Sequence, residues 1–105
     1  MLKRAFMKIK EVINMNEMIK IANKLKYDVV KWNRFNYTNA YISNKLEGRY
    51  YLIKSYYTIV GMVDEEQKKF FEFGKYSPTT SKQITQINRD RFGYCERIFI
   101  NETNW

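Results

Sequence analysis

The amino-acid sequence predicts an α+β domain: an N-terminal amphipathic helix packed on a small antiparallel sheet, then a second helix and a closing strand. Three patterns carry that prediction. Apolar residues between Met18 and Trp32 recur at helical spacing, residues 49–73 fall into strand-like runs separated by turn residues, and Ser77-Pro78 opens a second helical stretch that Gly93 closes.

Taken in order, residues 2–13 read either way. Leu2, Phe6, Ile9 and Ile13 fit a helix, whereas Ala5, Met7 and Ile9 alternate as in a short edge strand. From Asn16 the pattern clears. Met18, Ala22, Leu25, Val29 and Trp32 are spaced by four, three, four and three, with Lys20, Lys24 and Lys31 on the other side, so the spacing predicts a helix over about 16–34. Residues 35–48 are rich in Asn and end in the turn signal Glu47-Gly48, which makes Tyr41 to Asn44 a short strand opposite the next one. Arg49 to Ser55, Tyr57 to Val63 and Lys68 to Phe73 then predict a meander of three or four antiparallel strands, with Asp64-Glu65-Glu66-Gln67 as a polar connector. Ser77 is the expected N-cap and Pro78 the first residue of a helix to about Arg91, with Thr80, Ile84 and Ile87 as its inner stripe. Gly93 stops it, and Tyr94 to Ile100 alternates as a final strand.

At 105 residues, 45% hydrophobic and 17% aromatic, the chain is expected to form one domain, 1–105, with its own core. Nineteen Lys and Arg against eleven Asp and Glu give a net charge of +8, a field that draws polyanions and weakens in salt. Residues 1–34 hold nine of the basic and three of the acidic side chains, so the N-terminal third carries most of it. An abundance of Lys and Asn with few Gly, Pro and Ala is also what an AT-rich genome encodes. The single cysteine, Cys95, permits no intramolecular disulfide and reads as a small buried filler. Near the start the one three-residue apolar stretch before Lys8 is Ala5-Phe6-Met7, and no run reaches membrane-spanning length. The expected location is the cytosol, with no membrane partner, and the Asn-x-Thr triplets at Asn36 and Asn101 are read as chance.

No histidine is present, which removes the commonest general base, the usual metal ligand and every Ser-His or Cys-His pair. No Asp or Glu set has metal-loop spacing, and Asp64, Glu65 and Glu66 read as ordinary solvated turn carboxylates. Gly74-Lys75 invites comparison with a phosphate loop, but Lys69 stands where that frame needs Gly. No catalytic residue, metal or cofactor is expected.

Binding is the chemistry these residues allow. A helix N-terminus exposes unpaired N–H groups and the positive end of a dipole, and Lys75, Ser77, Thr79, Thr80, Ser81 and Lys82 surround this one in a way that suits a backbone phosphate. Gln86 and Arg89 follow Lys82 at spacings of four and three and share its outer side, within reach of base edges or phosphates. The competing reading is simple capping by Ser77, with hydroxyls that pack or meet water. On the sheet, Tyr50, Tyr51, Tyr56 and Tyr57 interleave with Arg49 and Lys54. One face of that run covers the core, and the other is available to stack bases or form a protein interface, so Arg49, Lys54 and Tyr56 join the candidate contact set. Lys20, Lys24, Lys31 and Arg34 form an outward stripe on the predicted first helix, read as its solvated face ahead of a nucleic-acid or membrane footprint.

Ser55-Tyr56-Tyr57-Thr58-Ile59-Val60, followed by Gly74-Lys75-Tyr76-Ser77-Pro78-Thr79-Thr80-Ser81-Lys82, resembles small uncharacterised phage and plasmid proteins of low-GC Gram-positive bacteria. Those proteins share a Ser-Tyr-x-Thr and then a Tyr-Ser-x-Thr-Thr-Ser-Lys pattern, and the likeness covers about the middle third of this chain. It leads one to expect His after Lys82, where this chain has Gln83. The resemblance implies a mobile-element accessory protein: a non-catalytic binder that inhibits or redirects a host nucleic-acid machine, as anti-CRISPR proteins do. Its expected partner is a host protein or ribonucleoprotein complex in the host cytosol. Direct binding to the DNA or RNA phosphate backbone is the alternative, and homo-oligomer formation stays open. A net charge of +8 argues against an acidic DNA mimic.

Overall fold

The computed structural model of the chain describes residues 17–74 and 77–100. It has the predicted α+β class, with helices packed on a single six-stranded sheet whose strands lie side by side in chain order. Helix α1 occupies residues 17–25 of the described chain. A 3-10 turn at Lys26–Asp28 leads into β1 (Trp32–Arg34), β2 (Ala40–Ser43), β3 (Tyr50–Ser55), β4 (Thr58–Asp64) and β5 (Lys69–Phe73). Each of these strands pairs antiparallel with the next. Helix α2 (Pro78–Phe92) then carries the chain back, so that β6 (Glu96–Ile100) runs parallel to β5. Parallel neighbours need such a crossover, because the chain must return to the starting end before running the same way again. The segment 2–13, open between helix and strand, lies outside the described residues.

Both faces of the sheet are covered, which is why its strands read as near-continuous apolar runs. Leu52, Met62 and Phe71 meet Met18, Ala22 and Leu25 of α1 on one face. Their chain neighbours Ile53, Val63 and Phe70 meet Ile84 and Ile87 of α2 on the other. That one-residue offset is the two-residue period of the pleat. As expected from the sequence, Thr80, Ile84 and Ile87 form the inner stripe of α2, Ser77 caps it, and Gly93 ends it at φ 64.

The helix predicted over 16–34 is shorter. Met18, Ala22 and Leu25 form its buried stripe, but Val29 is already extended and Trp32 belongs to β1. Two consecutive β-branched residues, Val29 and Val30, weaken the helix here. Asn44 offers the backbone a better partner, since its Oδ1 accepts the N–H groups of Val30 and Lys31 at 2.9 and 3.2 Å and its own N–H donates to the Lys31 carbonyl at 3.0 Å. Lys31 and Arg34 therefore leave the stripe of Lys20 and Lys24 and flank or join an edge strand.

Between β3 and β4 the register slips. Ile53 pairs with Gly61 and Lys54 with Ile59, leaving Val60 as the extra residue of a bulge. A Cβ on Gly61 would stand 2.9 Å from the Phe70 ring and 2.9 Å from the Phe71 carbonyl oxygen. The ring has some freedom to turn, but the carbonyl is held in the β4–β5 ladder. Gly61→Ala is accordingly expected to cost about 1–3 kcal/mol, the range of overpacked cores. The check is a lower urea midpoint with an unchanged m value.

Candidate partner interface

The register brings two short turns and the start of α2 to one end of the sheet. β3 and β4 are joined by Tyr56-Tyr57 alone, with Ser55 paired to Thr58. β1 and β2 are joined by residues 35–39. The turns are tied together, because the Tyr56 N–H donates to the Asn39 carbonyl at 2.7 Å. The 35–39 loop is held from within by buried Phe35. Its Thr38 hydroxyl donates to the Phe35 carbonyl at 2.6 Å and accepts from the Ala40 N–H at 3.1 Å. Arg34 Nε donates to the Thr38 carbonyl at 2.6 Å. Two backbone-fixed turns thus hold Tyr37 and Tyr57 in water, each 96% exposed, with Tyr56 at 53%. Tyr56 sits at φ 54, in the left-handed region, where a side chain costs about 1–2 kcal/mol and Gly or Asn is at ease.

The first turns of α2 join this end through a chain of hydroxyls. The Thr80 N–H donates to the Ser77 Oγ at 3.3 Å, and the Ser77 hydroxyl donates to Thr80 Oγ1 at 3.4 Å. Thr80 Oγ1 lies 3.3 Å from Ser55 Oγ, and the Ser55 hydroxyl donates to Gln83 Oε1 at 3.1 Å. The two separated parts of the sequence motif therefore meet, Ser55 from one and Thr80 from the other. Ser55, Thr80 and Gln83 are buried. A relay of this kind could pass a proton along, but it ends on the amide of Gln83, which takes none up.

The predicted contact residues divide. Ser77, Thr79, Ser81, Lys82 and Tyr56 are exposed and share the tyrosine end, with Thr80 buried beneath them. Lys75 lies outside the described residues. Gln86 is half-buried further along α2. Arg89 stands near the far end of α2 and is bound by its neighbour, with Nε and Nη2 donating to Asp90 at 2.7 and 3.2 Å. That bond holds the Asp90 carboxyl below its ordinary range. Lys54 is occupied as well, its ammonium 4.3 Å from the centre of the Trp32 ring and 5.2 Å from that of Tyr41. Cys95 is buried, which pushes its thiol up from the ordinary range.

Arg49 belongs to the opposite end, and with it comes a correction. Asp64 is not a solvated turn carboxylate. It is 0% exposed at the end of β4 and accepts two bonds from Arg49, to Oδ1 from Nε at 3.1 Å and to Oδ2 from Nη2. Its Oδ1 also accepts the N–H groups of Glu66 and Gln67 at 3.1 and 3.3 Å, so the carboxylate folds the β4–β5 turn around itself. This pairing raises the Arg49 guanidinium still further above its ordinary value. Sequence reasoning left Tyr37 out. Its signal was the run Asn36-Tyr37-Thr38-Asn39, a large apolar ring among turn formers.

Among the described residues no three His, Cys, Asp or Glu side chains gather to hold a metal ion, and no helix is long and apolar enough to cross a membrane. Comparison with curated proteins and with solved structures gave no match. Over residues 9–101, nearly the whole chain, the sequence matches the Family of unknown function (DUF8033), and it belongs to that family.

Proposed function

We propose that this protein is a non-catalytic accessory factor of a mobile genetic element that docks on a host protein, part of a nucleic-acid machine that it inhibits or redirects. The docking surface is the sheet end bearing Tyr37, Tyr56 and Tyr57. The observation that carries this reading is two fully exposed tyrosines on backbone-fixed turns, one of them beside a tyrosine at φ 54. Turn tips in water ordinarily hold Gly, Asn, Asp or Ser. A tyrosine placed there forgoes burial within its own chain and offers a partner a large, stiff contact with few rotamers to lose. The mobile-element context rests on the sequence motif, whose two parts meet beneath these rings through Ser55 and Thr80.

Phosphate binding at the start of α2 is the second reading, supported by exposed Thr79, Ser81 and Lys82 around its first turns. Photo-crosslinking separates the two. A benzoyl-phenylalanine is placed at position 57, at 37 and, as a control, at 68 in the turn of the opposite end, in full-length protein expressed in low-GC Gram-positive cells. One host protein joined from 57 and 37 but not from 68 is the expected result. Nucleic acid joined from 57, or equal labelling from all three positions, overturns the docking reading.

A further inference from the structure

The carboxylates of the sheet and of α2 are gathered at one end among the described residues. Glu47, Asp64, Glu65, Glu66, Asp90 and Glu96 all lie in or beside the connections opposite the tyrosines: the β2–β3 link, the β4–β5 turn, the last turn of α2 and the start of β6. Glu72 of β5 lies nearer the tyrosines and is taken by Arg97, whose Nε and Nη2 donate to it at 2.7 and 2.8 Å. The carboxylate-rich end mixes them with Lys45, Arg49, Lys68, Lys69, Arg89 and Arg91, whereas the end with Tyr37 and Tyr57 carries cations without the mixture. Arg34 closes β1 just before the Tyr37 loop, and Lys82 stands one turn into α2, both exposed. Neither has a carboxylate within ion-pair distance among the described residues, unlike Lys45, Arg49, Arg89 and Arg97; Lys68, Lys69 and Arg91 at the other end are unpaired too, but they stand among its carboxylates.

We infer that this end recognises a carboxylate-rich protein surface, with Tyr37 and Tyr57 as central anchors and Arg34 and Lys82 as the rim that pairs with its Asp and Glu side chains. The inference rests on the docking reading above and names the chemistry of the partner. An aromatic centre with a thin charged rim is the make-up of a protein interface. A nucleic-acid backbone presents closely spaced phosphates and calls for a longer track of cations, with rings laid along a groove or face instead of raised on turn tips.

The probes are poly-L-glutamate and an oligo-thymidylate of equal charge, each titrated into the ¹⁵N-labelled full chain at low salt. Poly-L-glutamate is expected to shift the amides of residues 36–39, 55–58 and 79–83 and to leave those of 65–68 and 93–96 in place. Arg34→Glu with Lys82→Glu should weaken it by roughly tenfold or more, and Tyr57→Ala should weaken it as well. Shifts confined to α1 around Lys20 and Lys24, or no shifts, overturn the acidic-partner inference. If crosslinking from 57 and 37 still finds its host protein, the docking reading stands without it. Tighter binding of the oligo-thymidylate through the same amides overturns both.

Discussion

Replacing Arg49 by Met is expected to lower the stability of the fold by about 3–5 kcal/mol, the cost of stripping one partner from a buried ion pair. The Arg49 side chain is 28% exposed, so its loss strands no cation, but Asp64 at 0% is left as a carboxylate in the interior. Two backbone N–H groups from Glu66 and Gln67 remain to it, at 3.1 and 3.3 Å. They do not replace two guanidinium bonds, and Met keeps the aliphatic volume of the arginine stem, so the loss reports charge and not packing. Adding Asp64→Asn should return most of the stability, because no charge then stays buried and the amide oxygen can still accept both N–H groups. Urea unfolding of the two single variants and the double variant measures the coupling. A cost below about 1 kcal/mol for Arg49→Met would make the contact equivalent to a surface pair. The same variant separates the roles of this residue. Arg49 was a contact candidate on sequence, and a folded Arg49→Met that still docks leaves it a structural one.

That arginine shows where the sequence stopped being readable. Asp64-Glu65-Glu66-Gln67 has the composition of a solvated connector, and nothing local marks one of its three acids as buried. The mark is Arg49, fifteen residues earlier, brought alongside by the β3–β4 pairing that sets Tyr50 against Asp64. The first helix failed in the same way. Its apolar period continues to Trp32, but a side chain from residue 44 decides where the helix gives way to strand. Signals with a local mechanism survived: Ser77-Pro78 and Gly93 bound α2 as expected because capping and a left-handed stop involve only neighbouring backbone. The parallel pairing of β6 departs from the antiparallel sheet expected on sequence, because the helix between β5 and β6 returns the chain to the starting end.

Reading the tyrosines needed tertiary structure throughout. Alternation says that Tyr50 and Tyr51 face opposite ways, but helices on both faces bury or half-bury both, Tyr50 in the α1 cluster and Tyr51 with its ring centre 5.2 Å from that of Phe92. The exposed tyrosines among the described residues, Tyr27, Tyr37, Tyr56, Tyr57 and Tyr94, stand in turns and connections, where alternation carries no information. Of the contact set chosen on sequence, the residues near Ser77 and the Tyr56 turn are brought together by one hydroxyl chain. Arg89 is claimed by Asp90 beside it, a sequence neighbour whose competition could have been anticipated.

The exchange Tyr56→Gly with Tyr57→Asn is expected to leave stability nearly unchanged while binding is lost. Glycine at φ 54 removes the left-handed strain of a side chain and keeps the N–H that donates to the Asn39 carbonyl, and asparagine suits the second position of a tight hairpin turn. Against this stands the greater freedom of glycine in the unfolded chain. The net change should lie within about 1 kcal/mol of zero, seen as a melting temperature that hardly moves. Little packing is lost at position 57, whose ring is 96% exposed, but the covered half of the Tyr56 ring, 53% exposed, is given up and offsets the strain relieved. Docking loses two aromatic anchors, each expected to be worth about 2 kcal/mol or more in a covered interface, so affinity for the crosslinked host protein should fall by roughly a hundredfold to a thousandfold. Unchanged affinity would show that the rings are not what the partner grips, and a clear loss of stability would show that they serve the fold. A turn that holds while its binding disappears is what separates residues kept for contact from residues kept for structure.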